Sequence, residues 1–159
     1  MPIGTKSAKT DITLQKDTKL ISKKISKFLQ SGDIIFLYGE IGVGKTTFVK
    51  YLINHLQSNC SETETEIPSP TFNILNEYLV EEKKIVHCDL YRIKDDNELK
   101  NIGLFENNND AILFIEWPEI IKKKPVNVIE LYFNYEKNFK KRSLKIITKH
   151  KKEIINEFK

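Results

Sequence analysis

The chain has 159 residues, of which 40% are hydrophobic and 30% are charged, a composition typical of one soluble globular domain. The longest apolar runs, Ile34–Tyr38 and Ala111–Ile115, are far shorter than the roughly 20 residues of a membrane-spanning helix, so we expect no membrane span. The first residues lack the apolar core of a secretory signal. We therefore expect a cytoplasmic location, with Cys60 and Cys88 reduced.

The formal net charge of +4 is unevenly distributed along the chain. Residues 137–159 contain nine basic and two acidic side chains, which leaves 17 basic and 20 acidic residues elsewhere. A basic tail favours contact with phosphate-rich partners, RNA included, although an ordinary solvated lysine-rich face explains it equally well. We treat residues 1–159 as a single domain, with residues 1–10 and about 149–159 at its periphery.

The first half of the chain predicts a strand, a helix, a buried strand and a second helix. A short edge strand is expected at Asp11–Leu14, and Asp17 is the expected N-cap of the helix that ends before Gly32. Ile34–Tyr38 is continuously apolar, as in a strand buried on both faces of a parallel sheet. Helical spacing of apolar residues resumes after Thr46.

The second half predicts mainly strands. Their expected ranges are Phe72–Val80, Ile85–Tyr91, Ala111–Ile115, Val128–Tyr135 and Leu144–Thr148. The first two form a hairpin, and the last two are expected to pair. Asp95 and Glu98 have the spacing of a helix-capping pair, and a short helix is expected at the C-terminus. Helices intermixed with apolar strands predict an α/β sheet.

One segment carries the main chemical signal. It reads Gly39-Glu40-Ile41-Gly42-Val43-Gly44-Lys45-Thr46 and matches the pattern G-x-x-x-x-G-K-[ST] at every fixed position. Such glycines let successive backbone N–H groups point at phosphate oxygens, and the following helix directs its positive end at the same anion. We assign nucleotide binding to residues 39–47, including Thr47, with Lys45 on the phosphates and the Thr46 hydroxyl on Mg²⁺.

A phosphate loop needs carboxylates for the metal ion and for water. Two candidates follow apolar strands, namely Asp89 after Ile85–Cys88 and Glu116 after Ile112–Ile115. Either could hold Mg²⁺ through water or orient an attacking water molecule. His87 is interpreted as either a polar strand residue or part of this site.

The remaining sequence helps to distinguish between classes of nucleotide-binding protein. No Asn-Lys-x-Asp segment is present to read guanine, and no Leu-Ser-Gly-Gly signature of transporter ATPases occurs. Arg92 and Arg142 are the only arginines, which weakens the case for a kinase with an arginine-bearing lid. A small ATPase is favoured. A phosphotransferase acting on a small substrate, or a binding module with ATP as a structural ligand, remain as alternatives.

Four more segments follow the loop in a characteristic order. They are Ser69-Pro70-Thr71-Phe72, His87-Cys88-Asp89-Leu90-Tyr91-Arg92, Gly103-Leu104 and Ile115-Glu116-Trp117-Pro118-Glu119. With Gly32-Asp33 before the strand, they resemble the bacterial TsaE (YjeE) family of ATPases, which act in tRNA threonylcarbamoyladenosine synthesis. The resemblance extends from about Thr10 to Thr148.

The resemblance implies a fold, a partner set and roles for single residues. The implied fold is a three-layer P-loop NTPase-like fold whose mostly parallel central sheet is flanked by antiparallel strands. ATP and Mg²⁺ are the implied ligands, with Thr46 and Glu116 on the metal ion. Lys45, Thr71, Asp89 and Glu116 form the implied catalytic set, and Trp117 lies beside it. The implied partners are TsaB- and TsaD-like proteins that modify position 37 of tRNAs, so contact with tRNA would be indirect.

Overall fold

The computed structural model describes residues 5–158, and in that range it contains one mixed sheet of eight strands. The strands are β1 (Thr5–Lys6), β2 (Thr10–Asp11), β3 (Ile34–Tyr38), β4 (Leu75–Val80), β5 (Lys83–Asp89), β6 (Ile112–Glu116), β7 (Val128–Glu136) and β8 (Lys141–Thr148). The helices are α1 (Gln15–Ser26), α2 (Lys45–Asn59), α3 (Asp96–Ile102) and α4 (Lys152–Asn156), and Pro118–Ile120 forms a 3₁₀ turn.

The strand order is β1, β8, β7, β3, β6, β5, β4, and β2 also pairs with β8. Strands β7, β3, β6 and β5 run parallel, whereas β4 and β8 pair antiparallel with their neighbours. This arrangement confirms the predicted mostly parallel sheet with antiparallel flanks. Strand β3 lies between two parallel strands, and its faces are covered by separate hydrophobic clusters, which explains its continuous apolar sequence.

Two hydrophobic clusters lie on opposite faces of the sheet and give the predicted three layers. Ile35 and Leu37 of β3 pack with the apolar residues of α1, α2 and α4 on one face. Phe36 belongs to the other cluster, where the covering layer is formed mainly by loop residues such as Leu90 and Leu104. Helix α3 buries no residue, so this second layer depends on the loops around it. Among residues 5–158, no helix is both long and apolar enough to cross a membrane.

The beginning of the chain differs from the prediction. The expected edge strand at Asp11–Leu14 is the shorter β2, because only Thr10 and Asp11 pair with β8. Asp17 is not the N-cap, since α1 begins at Gln15 with Leu14 in that position and no side-chain cap. Asp17 instead lies in the first turn, where a carboxylate still interacts favourably with the helix dipole. Of the expected peripheral residues, 1–4 and 159 lie outside the described range.

The segment between α1 and β3 was also predicted incompletely. Helix α1 ends at Ser26, so Gly32 does not follow the helix directly. Gly32 has a φ of 93° and lies in a turn in which the Asp33 side chain accepts a hydrogen bond from the Gln30 backbone at 2.7 Å. The glycine is required by this turn rather than by a helix cap.

The predicted hairpin is confirmed, with a shorter first strand and a second strand shifted by two residues toward the N-terminus. Val80 pairs with Lys83, so Glu81 and Glu82 alone form the turn. Strand β4 begins at Leu75 rather than at Phe72, because Ile74 has a left-handed φ of 64°. Strand β5 ends at Asp89, at the edge of the sheet where the phosphate loop begins.

Candidate active site

The predicted phosphate loop connects β3 to α2 in a conformation that needs glycine. Gly39, Gly42 and Gly44 have φ angles of 146°, 75° and 117°, a region that other residues rarely adopt. A Cβ atom on Gly39 would lie only 2.7 Å from the Phe133 carbonyl oxygen. The loop leads directly into the N-terminus of the 15-residue helix α2, which makes this turn a natural anion site.

The Lys45 side chain is held inside the loop. Its Nζ donates hydrogen bonds to the carbonyl oxygens of Gly39 and Glu40 and lies 3.8 Å from the centroid of the Trp117 ring. Burial lowers the pKa of Lys45, and this effect is opposed by the carboxylates of Glu116, Glu119 and Asp89. The loop therefore presents a single buried cation that an anionic ligand would neutralise.

The Glu116 carboxylate accepts two hydrogen bonds on the same oxygen. The Thr46 hydroxyl donates to Oε1 at 2.8 Å, and His87 Nε2 lies 2.7 Å from that atom. His87 is fully buried and its Nδ1 has no partner among the described residues. Because a carboxylate oxygen only accepts hydrogen bonds, Nε2 is the nitrogen that donates to Glu116. His87 therefore contacts a residue of the cleft, although it does not line the cleft itself.

The Asp89 carboxylate lies beside Glu116, since the two residues are paired on the parallel strands β5 and β6. The Thr71 hydroxyl donates to Asp89 Oδ2 at 3.1 Å, and the Tyr91 backbone N–H donates to Oδ1 at 2.9 Å. The Ser69 and Thr71 hydroxyl oxygens are 2.7 Å apart. The Ser-Pro-Thr segment is thereby tied to the end of β5.

These groups surround one cleft of about 240 Å³. It is lined by Ile41, Gly42, Gly44, Lys45, Thr46, Thr47, Ser69, Thr71, Asp89, Tyr91, Glu116 and Trp117. All four predicted catalytic residues and both predicted metal ligands are in this set. Three predicted loop residues do not line the cleft. Val43 is buried in the core, and Gly39 and Glu40 contribute carbonyl oxygens that accept hydrogen bonds from Lys45.

Some contacts were not predicted from the sequence. Trp117 has a left-handed φ of 56°, which turns its ring toward Lys45 and places it 4.9 Å from the Tyr91 ring. Tyr135 donates a hydrogen bond to the Ile41 carbonyl at 3.3 Å. The sequence alternation in β7 places Tyr135 near the end of a strand parallel to β3. The contact between Tyr135 and the phosphate loop could therefore have been predicted from the sequence. Arg92 does not line the cleft, and its guanidinium lies 4.5 Å from the centroid of the Phe72 ring.

The oxygen donors at the cleft suit Mg²⁺ in one particular way. Within residues 5–158 no group of three or more His, Cys, Asp and Glu side chains could hold a metal ion. The adjacent Thr46 hydroxyl and Glu116 carboxylate are oxygen ligands of the type that Mg²⁺ prefers. Because Mg²⁺ usually keeps several waters and shares ligands with substrate phosphates, these two donors fit an ion held jointly with a bound nucleotide.

The fold is shared with a solved structure. The crystal structure of Bacillus subtilis YdiB superposes with a TM-score of 0.75 and covers 99% of this chain and 95% of that chain. The sequence identity between the two is 23%, so this similarity concerns the fold alone.

Sequence relatives identify the family. The family model for "Threonylcarbamoyl adenosine biosynthesis protein TsaE" matches residues 12–144. Two relatives carry the name "tRNA threonylcarbamoyladenosine biosynthesis protein TsaE". The one from Rickettsia bellii is 38% identical over 79% of this chain and 85% of its own length. The one from Aquifex aeolicus is 36% identical over 72% of this chain and 78% of its own length. The protein of that name from Rickettsia felis is 41% identical over 68% of this chain and 61% of its own length. This chain therefore belongs to the TsaE family.

Proposed function

We propose that the chain is a Mg²⁺-dependent ATPase that serves threonylcarbamoyladenosine modification of tRNAs reading codons that begin with A. It acts in the cytoplasm with TsaB- and TsaD-like proteins, as the resemblance implies, and has slow turnover without them. The pathway is supported by the names of the relatives. The ATPase chemistry is supported by one observation, a phosphate loop at a helix N-terminus that is faced by carboxylates from two adjacent strands.

The phosphate loop and five side chains of the cleft have separate roles in this proposal. The loop amides and Lys45 bind the phosphates, and Thr46 with Glu116 would hold Mg²⁺, which neutralises charge on the phosphate oxygens when bound. Asp89 orients the attacking water, and Thr71 is kept near the γ-phosphate by its hydrogen bond to Asp89. No arginine lines the cleft among the described residues, which is consistent with slow turnover of the isolated chain.

The test removes the buried cation. Lys45→Ala should weaken ATP binding by roughly ten- to hundredfold, since a hydrogen bond to a charged group contributes about 1.5–3 kcal/mol. Binding is measured by titration calorimetry, and hydrolysis by release of inorganic phosphate. Lys50→Ala is the matched control, because Lys50 lies exposed on the same helix.

Full ATP binding and phosphate release by Lys45→Ala would contradict the assignment of the site. Transfer of the γ-phosphate to a metabolite, with no free phosphate released, would favour the phosphotransferase instead. The proposed partnership is tested by copurification with TsaB- and TsaD-like proteins. Phosphate release should rise when both are added, and an unchanged rate would contradict the partnership.

A further inference from the structure

A cluster of cations and aromatic rings lies where β7 turns into β8. We call residues 135–142 the hairpin tip. Phe139 is 68% exposed, and its ring lies 4.8 Å from that of Tyr135. The cations of the tip are Lys137, Lys140, Lys141 and Arg142. Arg142 lies 5.7 Å from the centroid of the Tyr135 ring, so at least one cation of the tip contacts this pair of rings.

The positive charge of the hairpin tip is largely uncompensated. Within residues 5–158, none of its four cations forms an ion pair. Glu136 is occupied by Lys9, whose Nζ lies 2.8 Å from its carboxylate. Asp11 is the other nearby carboxylate, and its pKa is lowered mainly by hydrogen bonds from Thr13, with smaller contributions from the charges of Lys141 and Lys137. The local balance therefore favours an anionic ligand.

The hairpin tip adjoins the candidate active site. Strand β7 runs parallel to β3, so both strands end at the same edge of the sheet. The hydrogen bond from Tyr135 to the Ile41 carbonyl joins the tip to the phosphate loop. On the side facing β2 there is an open cavity of about 290 Å³. Four cations line it, together with the carboxylates of Asp11 and Glu136; the cations are Lys9, Lys137, Lys141 and Arg142.

We propose that the hairpin tip binds single-stranded RNA. An exposed ring backed by a second ring offers a stacking surface for one unpaired base, and the surrounding cations contact phosphates on either side of it. The adenine of ATP is a less suitable occupant, because the phosphates of that nucleotide are assigned to the loop and leave four cations unused. An acidic protein is also less suitable, since carboxylates do not need an exposed Phe139 ring. The proposal does not depend on ATP hydrolysis.

The experiment measures binding of a fluorescein-labelled 12-nucleotide oligoadenylate RNA to the full chain by fluorescence anisotropy, without nucleotide. A plot of log affinity against log salt concentration should have a slope of about −2 to −3 if three or four cations contact phosphates. Phe139→Ala should weaken binding by about 5- to 150-fold, the loss expected for one base–aromatic stack. Phe139→Trp should retain affinity, and its fluorescence should change on addition of the RNA.

Two double charge-reversal variants distinguish the effect of charge at the hairpin tip from the effect of the overall net charge. Lys140→Glu with Lys141→Glu should weaken binding and reduce the magnitude of the salt slope by about 1.4. Lys23→Glu with Lys27→Glu changes the net charge equally at exposed positions near the C-terminal end of α1 and should leave the slope unchanged. Thermal unfolding of each variant verifies that it is folded.

Four results would overturn the proposal. The first is absence of saturable RNA binding by the unaltered chain. The second is an equal loss in both double variants, since binding would then follow overall charge. The third is a Phe139→Ala variant with reduced ATP affinity and normal RNA affinity, because the tip would then be a base subsite for ATP. Tighter binding of a 12-base-pair RNA duplex than of the single strand would also contradict stacking.

Discussion

At the scale of single residues, His87 determines how Glu116 is presented to the cleft. Both of these side chains are buried, and Glu116 Oε1 accepts hydrogen bonds from His87 Nε2 and from the Thr46 hydroxyl. In the proposed complex the Thr46 hydroxyl would bind Mg²⁺, and His87 would then remain as the donor that fixes the carboxylate. A buried hydrogen bond of this kind positions a ligand without touching the substrate.

His87→Phe removes that donor and keeps a ring of similar size. We expect phosphate release to slow by roughly ten- to hundredfold, because a hydrogen bond to a charged group contributes about 1.5–3 kcal/mol. The concentration of Mg²⁺ needed for half-maximal rate should rise, whereas ATP affinity without Mg²⁺ should stay constant. Steady-state phosphate release over a Mg²⁺ series measures the first two effects. Unchanged turnover with unchanged Mg²⁺ dependence would exclude a positioning role.

At the scale of elements, α3 depends on its cap more than on packing. Asp95 accepts hydrogen bonds from the backbone N–H groups of Asn97 and Glu98 at 2.9 and 3.0 Å, as predicted from the sequence. No side chain of the helix is fully buried, and only Leu99 and Ile102 pack, partly buried, against the second cluster, so the cap is a substantial part of what holds this short helix.

Asp95→Ala should therefore open α3 locally. Loss of an N-cap costs about 1 kcal/mol, and a helix without buried residues can lose that amount without unfolding the sheet. Amide hydrogen exchange should accelerate by roughly fivefold in residues 97–102 while the global unfolding midpoint stays nearly constant. Asp110→Ala, at an exposed position outside the helix, is the control. Unchanged exchange in α3 would show that the cap is dispensable.

Strand β7 contains a carboxylate whose ionised form is stabilised by folding. Burial of Glu130 raises its pKa, but hydrogen bonds from Lys124 and Tyr132 outweigh this effect and lower it below the ordinary value of 4.5. A carboxylate with a lowered pKa in the folded state stabilises the fold above its unfolded pKa. That contribution is lost as the pH falls through the folded pKa.

Glu130→Gln should consequently destabilise the protein at pH 7 and have a smaller effect below about pH 4. Urea denaturation at several pH values between 7 and 3 measures the difference in unfolding free energy. Glu106→Gln, at an exposed position, should give a constant difference near zero. A Glu130→Gln effect that does not change with pH would contradict the stabilisation of the ionised form.

The elements that sequence reasoning predicted well are those set by local chemistry. Strands β3 and β6 are predictable because burial on both faces demands an unbroken apolar run, and the phosphate loop because its φ angles demand glycine. The predicted start of α1 was wrong, because the helix begins without a side-chain cap and Asp17 has only the residue type of an N-cap. The position of Trp117 against Lys45 depends on a left-handed backbone residue and on tertiary packing, which no spacing indicates.

At the scale of the whole molecule, a buried ion pair connects the C-terminal segment to the turn before β3. Lys151 Nζ lies 2.6 Å from Asp33 Oδ2, and each side chain is only 8% exposed. Lys151 also donates to the Phe28 carbonyl. The tail is thus attached to the core through charge as well as through the fully buried Ile154 and Ile155 of α4.

Lys151→Met should lower the free energy of unfolding by about 3–5 kcal/mol, since it leaves the Asp33 carboxylate buried without its partner. Urea denaturation provides the measurement, with Lys152→Met as the exposed neighbouring control. Adding Asp33→Asn to Lys151→Met should recover part of the loss, because the unpaired charge is then removed. A single variant as stable as the original chain would show that the pair does not hold the tail.

The central place of β3 has a consequence for the chain as it leaves the ribosome. Residues 34–38 emerge early, but the strands that flank them begin only at residues 112 and 128. At about 5–20 residues per second, roughly 4–15 s pass before the first flanking strand is synthesised. An apolar strand that stays unpaired for this time, before its flanking strands are synthesised, is prone to aggregate. Losses during recombinant expression are therefore expected at this stage, before the finished sheet exists.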